Sequence, residues 1–109
     1  MLAGYDAPFP GDEYCAGPRA MPGLVPVSPD DPAAAANKAA WSKLTVSPTP
    51  MLVAFSDADP ITGPMGEVFR REMRGAQGIE HPVIRGAGHF LQEDAGEELA
   101  RHIVEFLRR

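Results

Sequence analysis

The sequence predicts an α/β fold, and within that class the terminal piece of a larger α/β domain. Two observations lead there. From residue 50 onward, short apolar runs alternate with amphipathic helical patterns in the order strand, helix, strand, helix. Two parallel strands cannot bury both faces of a sheet, so the cover for this pair has to come from further chain. The first half is different in texture. Nine of the twelve prolines fall within the first fifty residues, which excludes long regular helices there.

Two short helical windows survive those prolines. One lies around Asp12 to Ala20; the other, Pro32 to Leu44, is alanine-rich, with Trp41 and Leu44 three apart on one face. Asp30 or Asp31 can cap the second, with Pro32 in its first turn, where a missing N–H is harmless. The apolar run Met51-Leu52-Val53-Ala54-Phe55, followed at once by Ser56-Asp57-Ala58-Asp59-Pro60, reads as a buried strand ending in a loop. Met65, Val68, Phe69 and Met73 recur at helical spacing over Pro64 to Arg74, with Gly75 where a helix C-terminus is expected. His81-Pro82-Val83-Ile84-Arg85 reads as the second strand, cut off by Gly86-Ala87-Gly88-His89-Phe90. Asp94 to Arg109 forms the last helix, with Leu99, Ile103, Phe106 and Leu107 on one stripe. An Asp94…Glu97 pair is set like a capping box, and Arg108 and Arg109 stand at the negative end of the helix dipole. A right-handed crossover joins such strands and puts the functional loops at their carboxyl ends.

Composition narrows the function. The 109 residues carry 10 Lys+Arg against 15 Asp+Glu, a net charge of −5, with only two lysines and no basic run, so nucleic acid is excluded as a partner. No apolar stretch is long enough to span a bilayer and the N-terminal residues do not form a leader, which points to no membrane and a cytoplasmic location. The single Cys15 makes neither a disulfide nor a metal cluster and reads as a small, half-buried thiol.

Two polar residues stand where strands end: Asp59 and, 30 residues later, His89. On neighbouring strand ends a carboxylate and an imidazole can meet, the carboxylate fixing the tautomer and stabilising the imidazolium, which is the acid-to-base half of a hydrolytic triad. The residues leave alternatives open. Asp57 could be the pairing carboxylate, Asp59-Pro60 could be an ordinary turn start, and His89 a solvated loop side chain. His81 and His102 read as surface residues. Ser28, Ser42, Ser47 and Ser56 form no G-x-S-x-G, and phosphate loops, paired Cys motifs and HExxH are absent, so no nucleophile and no metal site is visible.

The wording of five blocks, in order, carries more. They are Tyr5-Asp6-Ala7-Pro8-Phe9-Pro10, Ala16-Gly17-Pro18-Arg19, Pro26-Val27-Ser28-Pro29-Asp30-Asp31-Pro32, Phe55-Ser56-Asp57-Ala58-Asp59-Pro60-Ile61-Thr62 and Gly86-Ala87-Gly88-His89-Phe90-Leu91-Gln92-Glu93-Asp94. Together they resemble the carboxyl-terminal third of haloalkane dehalogenases, over nearly the whole chain. The resemblance implies a C-terminal fragment of an α/β-hydrolase fold: residues 1–32 as the end of the helical cap, and 33–109 as the last two parallel strand–helix units of the core. It implies a cofactor-free hydrolase that cleaves the carbon–halogen bond of a small halogenated aliphatic substrate with water, releasing alcohol and halide. In that family an Asp nucleophile forms an alkyl-enzyme ester and a His activates the water that hydrolyses it. Residue by residue, His89 matches the base and Asp59 the acid, while Met21, Pro22, Val25, Ile61 and Thr62 match positions that line the substrate pocket. Core packing is the competing role for Met21, Pro22, Val25 and Ile61.

The nucleophile, the oxyanion-hole donors and the halide-binding tryptophans are expected upstream, in the missing N-terminal part of the hydrolase domain, so the isolated chain is expected to be inactive. An epoxide hydrolase or esterase of the same fold uses the same Asp and His. A chain of another class, a non-catalytic truncated remnant, is the remaining alternative; it would be unstable or survive by pairing with another hydrolase fragment.

Overall fold

A computed structural model describes residues 2–109; Met1, where the expected cap segment begins, lies outside the described residues. By their contacts, residues 1–41 and 42–109 form two units. The first holds helix α1 (Leu2–Asp6), a 3-10 turn over Asp12–Cys15, helix α2 (Ala16–Ala20) and a second 3-10 turn over Met21–Leu24. The continuous helix expected from Asp12 to Ala20 is thus broken into tighter pieces. Proline supplies no N–H, and Pro18 and Pro22 leave room only for one-turn segments. The Arg19 guanidinium spans the pieces, donating to the Asp12 carboxylate at 3.0 Å and to its carbonyl at 3.3 Å. Cys15 is half-buried and its thiol points to the Gly11 carbonyl at 3.8 Å.

Helix α3 (Ala34–Val46) begins in the first unit and ends in the second. Of the two candidate caps, Asp31 closes the turn that leads into the helix: its carboxylate accepts the Ala33 N–H at 2.8 Å and its carbonyl that of Ala34 at 2.9 Å, so Pro32 lies in this turn and not in the first turn of α3.

The second unit contains the sheet. Strand β1 (Phe55–Ser56) pairs in parallel with strand β2 (Val83–Ile84), Phe55 opposite Val83 and Ser56 opposite Ile84, with helix α4 (Gly63–Glu72) in the crossover. The parallel order matches expectation, but each strand is shorter than its apolar run. Among the described residues no strand pairs with 51–54, and Met51 and Val53 are held by other partners. The Met51 N–H donates to the Gly75 carbonyl at 2.9 Å, and the Val53 N–H to the His81 ring at 3.2 Å. Among the described residues Val53, Met73, Ala76, Ile84 and Ala87 form the buried hydrophobic core. The Phe55 and Phe69 rings stack at 6.4 Å, and the bare Cα of Gly66 lets α4 approach, since a Cβ there would sit 3.0 Å from Phe55.

Three local expectations are corrected. Gly75 does not terminate α4; the helix ends at Glu72 and a 3-10 turn over Arg74–Ala76 follows. The glycine is needed for space, because a Cβ would lie 1.9 Å from the Thr49 carbonyl oxygen. The last helix is two: α5 (Leu91–Asp94) and α6 (Gly96–Leu107), separated by Ala95 at φ −143°, ψ 41°. The Asp94…Glu97 capping box does not form, because the Asp94 carboxylate accepts the Gly88 N–H at 2.8 Å instead. On α6, Leu99 and Phe106 are half-buried whereas Ile103 and Leu107 are exposed. No helix among the described residues is long and apolar enough to cross a membrane.

Candidate active site

Both loops that leave the strands are held by short-range polar contacts. The Ser56 hydroxyl, buried at the end of β1, donates to the Gly88 carbonyl at 2.8 Å. The Asp57 carboxylate accepts the Gly86 N–H at 2.8 Å, and the Ala58 N–H donates to the Ala87 carbonyl at 3.2 Å. Gly86 has φ +73°, a region that disfavours any Cβ, and the chain turns there into the Gly88-His89 segment. Asp94 holds the same loop from its far side through Gly88. Asp57 is therefore not the partner of the imidazole; its carboxylate holds the loop that presents it.

Asp59 is that partner. One of its carboxylate oxygens lies 3.1 Å from His89 Nδ1. The same oxygen accepts the N–H of Ile61 at 2.8 Å and of Thr62 at 3.1 Å, and the second oxygen accepts the Thr62 hydroxyl. These donors stabilise the charged form. The Thr62 hydroxyl contributes most, opposed by partial desolvation and helped by the two backbone N–H groups and His89, and the carboxyl is held well below the usual carboxylate range. An ionised carboxylate only accepts, so in the neutral imidazole the proton sits on Nδ1 and Nε2 carries the lone pair. The Asp59 side chain is 5% exposed and that of His89 35%, so the acceptor is enclosed while the base remains open to water. The Phe90 ring meets the His89 ring edge-on at 5.2 Å between centroids.

The expected pocket residues divide between the units. Met21 and Pro22 lie on the turn Met21–Leu24 and Val25 follows it, with Met21 and Val25 exposed. Ile61 is exposed beside Asp59, and the Thr62 side chain is committed to the carboxylate. Among the described residues Asp59 is the acidic side chain bonded to His89, and no group of three His, Cys, Asp or Glu could hold a metal ion.

His81 corrects its reading as a surface residue. Its Nδ1 accepts the Val53 N–H at 3.2 Å and its Nε2 donates to the Ala76 carbonyl at 3.0 Å, so it ties residues 51–54 to the turn after α4. His102 is half-buried on α6, 3.8 Å from both Glu98 and Glu105. Sequence reasoning missed the loop-holding roles of Ser56, Asp57 and Asp94. Their signal is the polar run directly after an apolar strand, which needs a partner loop to be interpreted.

No model of a known protein family matches the chain. Similarity to individual proteins is extensive. The chain is 50% identical over 106 residues to a haloalkane dehalogenase of Mycobacterium marinum. It is 42% identical over 107 residues to one of Psychrobacter cryohalolentis, and 49% identical over 106 residues to haloalkane dehalogenase 1 of Mycobacterium tuberculosis. The match to the Mycobacterium marinum protein covers 97% of the chain, and the chain spans 35% of the length of each of these three relatives. By sequence, the chain is a homologue of the haloalkane dehalogenases and corresponds to about a third of their length.

Proposed function

We propose that the chain provides the acid–base part of a haloalkane dehalogenase, with His89 as the base and Asp59 as the acid that orients and stabilises it. The 3.1 Å contact between Asp59 and His89 Nδ1, at the carboxyl ends of two parallel strands, is the observation that carries this reading. With Nδ1 donating to an ionised carboxylate, the Nε2 lone pair is free to take a proton from water. The hydroxide so formed attacks the carbonyl carbon of an alkyl-enzyme ester, and the imidazolium then returns its proton to the departing alkoxide, giving the alcohol. The ester arises when a carboxylate displaces halide from a haloalkane carbon. That nucleophile and the halide donors belong to the remaining two thirds of the relatives' length. The reaction balances with substrate and water alone, in keeping with a cofactor-free hydrolase.

The reading also assigns residues 1–32 to the end of a cap, residues 33–109 to the last two strand–helix units of an α/β-hydrolase core, and Met21, Pro22, Val25, Ile61 and Thr62 to the border of the substrate pocket. A chimera tests it: this chain replaces its matched third in the Mycobacterium marinum relative, and halide release from short chloro- and bromoalkanes is measured. Release is expected, and it is expected to disappear with His89→Ala. A folded chimera that releases no halide while the parent does, or whose release survives His89→Ala, refutes the proposal. Turnover of an epoxide or an ester in place of the haloalkane would assign the same pair to a different hydrolase.

A further inference from the structure

We propose that Thr62 is a positioning residue: its hydroxyl holds one oxygen of the Asp59 carboxylate, so that the other faces His89 and keeps the imidazole proton on Nδ1. The inference rests on the reading of Asp59 and His89 as acid and base. Thr62 immediately precedes α4, where a threonine hydroxyl ordinarily accepts a backbone N–H of the first helical turn. Here it makes no such bond. The hydroxyl is turned the other way and donates to Asp59, so α4 goes without a side-chain cap.

The geometry shows why this matters. The Ile61 and Thr62 N–H groups and His89 Nδ1 all converge on one carboxylate oxygen. The aspartate χ2 torsion is broad and shallow, and turning it about the Cβ–Cγ bond moves both oxygens together. The Thr62 hydroxyl, bonded to the second oxygen, therefore resists the same rotation that would carry the first oxygen away from Nδ1. With the plane pinned, the acceptor in front of Nδ1 stays in place in a site where the carboxylate is 5% exposed and solvent cannot substitute for it.

The test reads the proton position. Imidazole 15N spectra of the 109-residue chain, recorded above the histidine titration, report the tautomer of His89, with its resonance identified by its loss in His89→Gln. The unsubstituted chain and Thr62→Ser are expected to carry the proton on Nδ1. Thr62→Val keeps the branched shape without the hydroxyl and is expected to lose that preference in favour of Nε2, as Asp59→Asn does. Retention of the Nδ1 proton in Thr62→Val overturns the proposal, as does its loss in Thr62→Ser or its absence from the unsubstituted chain. Collapse of the whole amide spectrum in Thr62→Val also counts against it, because the hydroxyl would then be serving the fold. The readout is a proton position and not turnover, so its failure is distinct from failure of the dehalogenase reading, which the chimera decides.

Discussion

Replacing His81 with alanine removes two hydrogen bonds at once. Val53 is 3% exposed and Ala76 2%, and the imidazole accepts from the first at 3.2 Å and donates to the second at 3.0 Å. A buried backbone group left without a partner costs about 1–3 kcal/mol. The Ala76 carbonyl keeps the Ile79 N–H at 3.3 Å, so the Val53 N–H is the group that loses its partner. The ring itself is half-buried, so water can enter part of the space that alanine opens, which puts the loss near the lower end, at about 1 kcal/mol. Hydrogen exchange reads it locally: the Val53 amide should exchange about 5-fold faster, since ~1.4 kcal/mol corresponds to a factor of ten. Urea unfolding should show a lower midpoint with an unchanged slope. His102→Ala is the control, because that half-buried ring has two partly exposed carboxylates at 3.8 Å and makes no contact with the 51–54 segment in the bonds that hold it, so its effect on Val53 exchange should stay within about 0.5 kcal/mol. An unchanged Val53 exchange rate in His81→Ala would refute the claim that this histidine ties the two segments.

Three further outcomes follow from the same contacts. The folded state holds the Asp59 carboxyl below its ordinary value, so the stability it contributes is complete above about pH 4 and is lost as the pH falls through the lowered value. The difference in urea midpoint between the chain and Asp59→Asn should therefore shrink as the pH falls below about 4; a difference that stays unchanged from about pH 4 down to about 2 would contradict the assignment. Gly75→Ala should destabilise by about 2 kcal/mol, because its Cβ would overlap the Thr49 carbonyl, whereas Gly96→Ala, with open space at the start of α6, should be neutral or stabilise by about 0.5 kcal/mol. Thermal melts of the two variants side by side check the contrast. In the chimera, Asp59→Asn should reduce halide release by a factor on the order of 10⁴, as a triad with the wrong imidazole tautomer does; a reduction below about tenfold would mean that Asp59 is not the acid.

Much of the second unit was legible because its signals are local. The apolar run ending in Ser56-Asp57 and the spacing of Phe69 and Met73 require only neighbouring residues to place a strand and a helix. The candidate pair was legible as well, since Asp59 and His89 each follow a strand end. What the residues left open, apart from the resemblance, was which of Asp57 and Asp59 faces the imidazole. Adjacent polar residues in a loop look alike until the partner loop is in place. The division of the C-terminal helix at Ala95 was hidden for the same reason: Asp94 looked like a cap, and only the position of Gly88 draws its carboxylate away.

By itself the sequence determined the α/β order, the parallel pairing and the two residue types at the strand ends, because periodicity, proline placement and turn chemistry act over a few residues. The five matched blocks also identified its relatives. Tertiary structure alone decided that Asp57 holds a loop, that His81 is a tie between segments, and that Gly75 serves space rather than the end of α4. Each of those roles is set by a contact between residues far apart in the chain, such as the 28 positions separating Val53 from His81, and local sequence preference carries no information about such a distance.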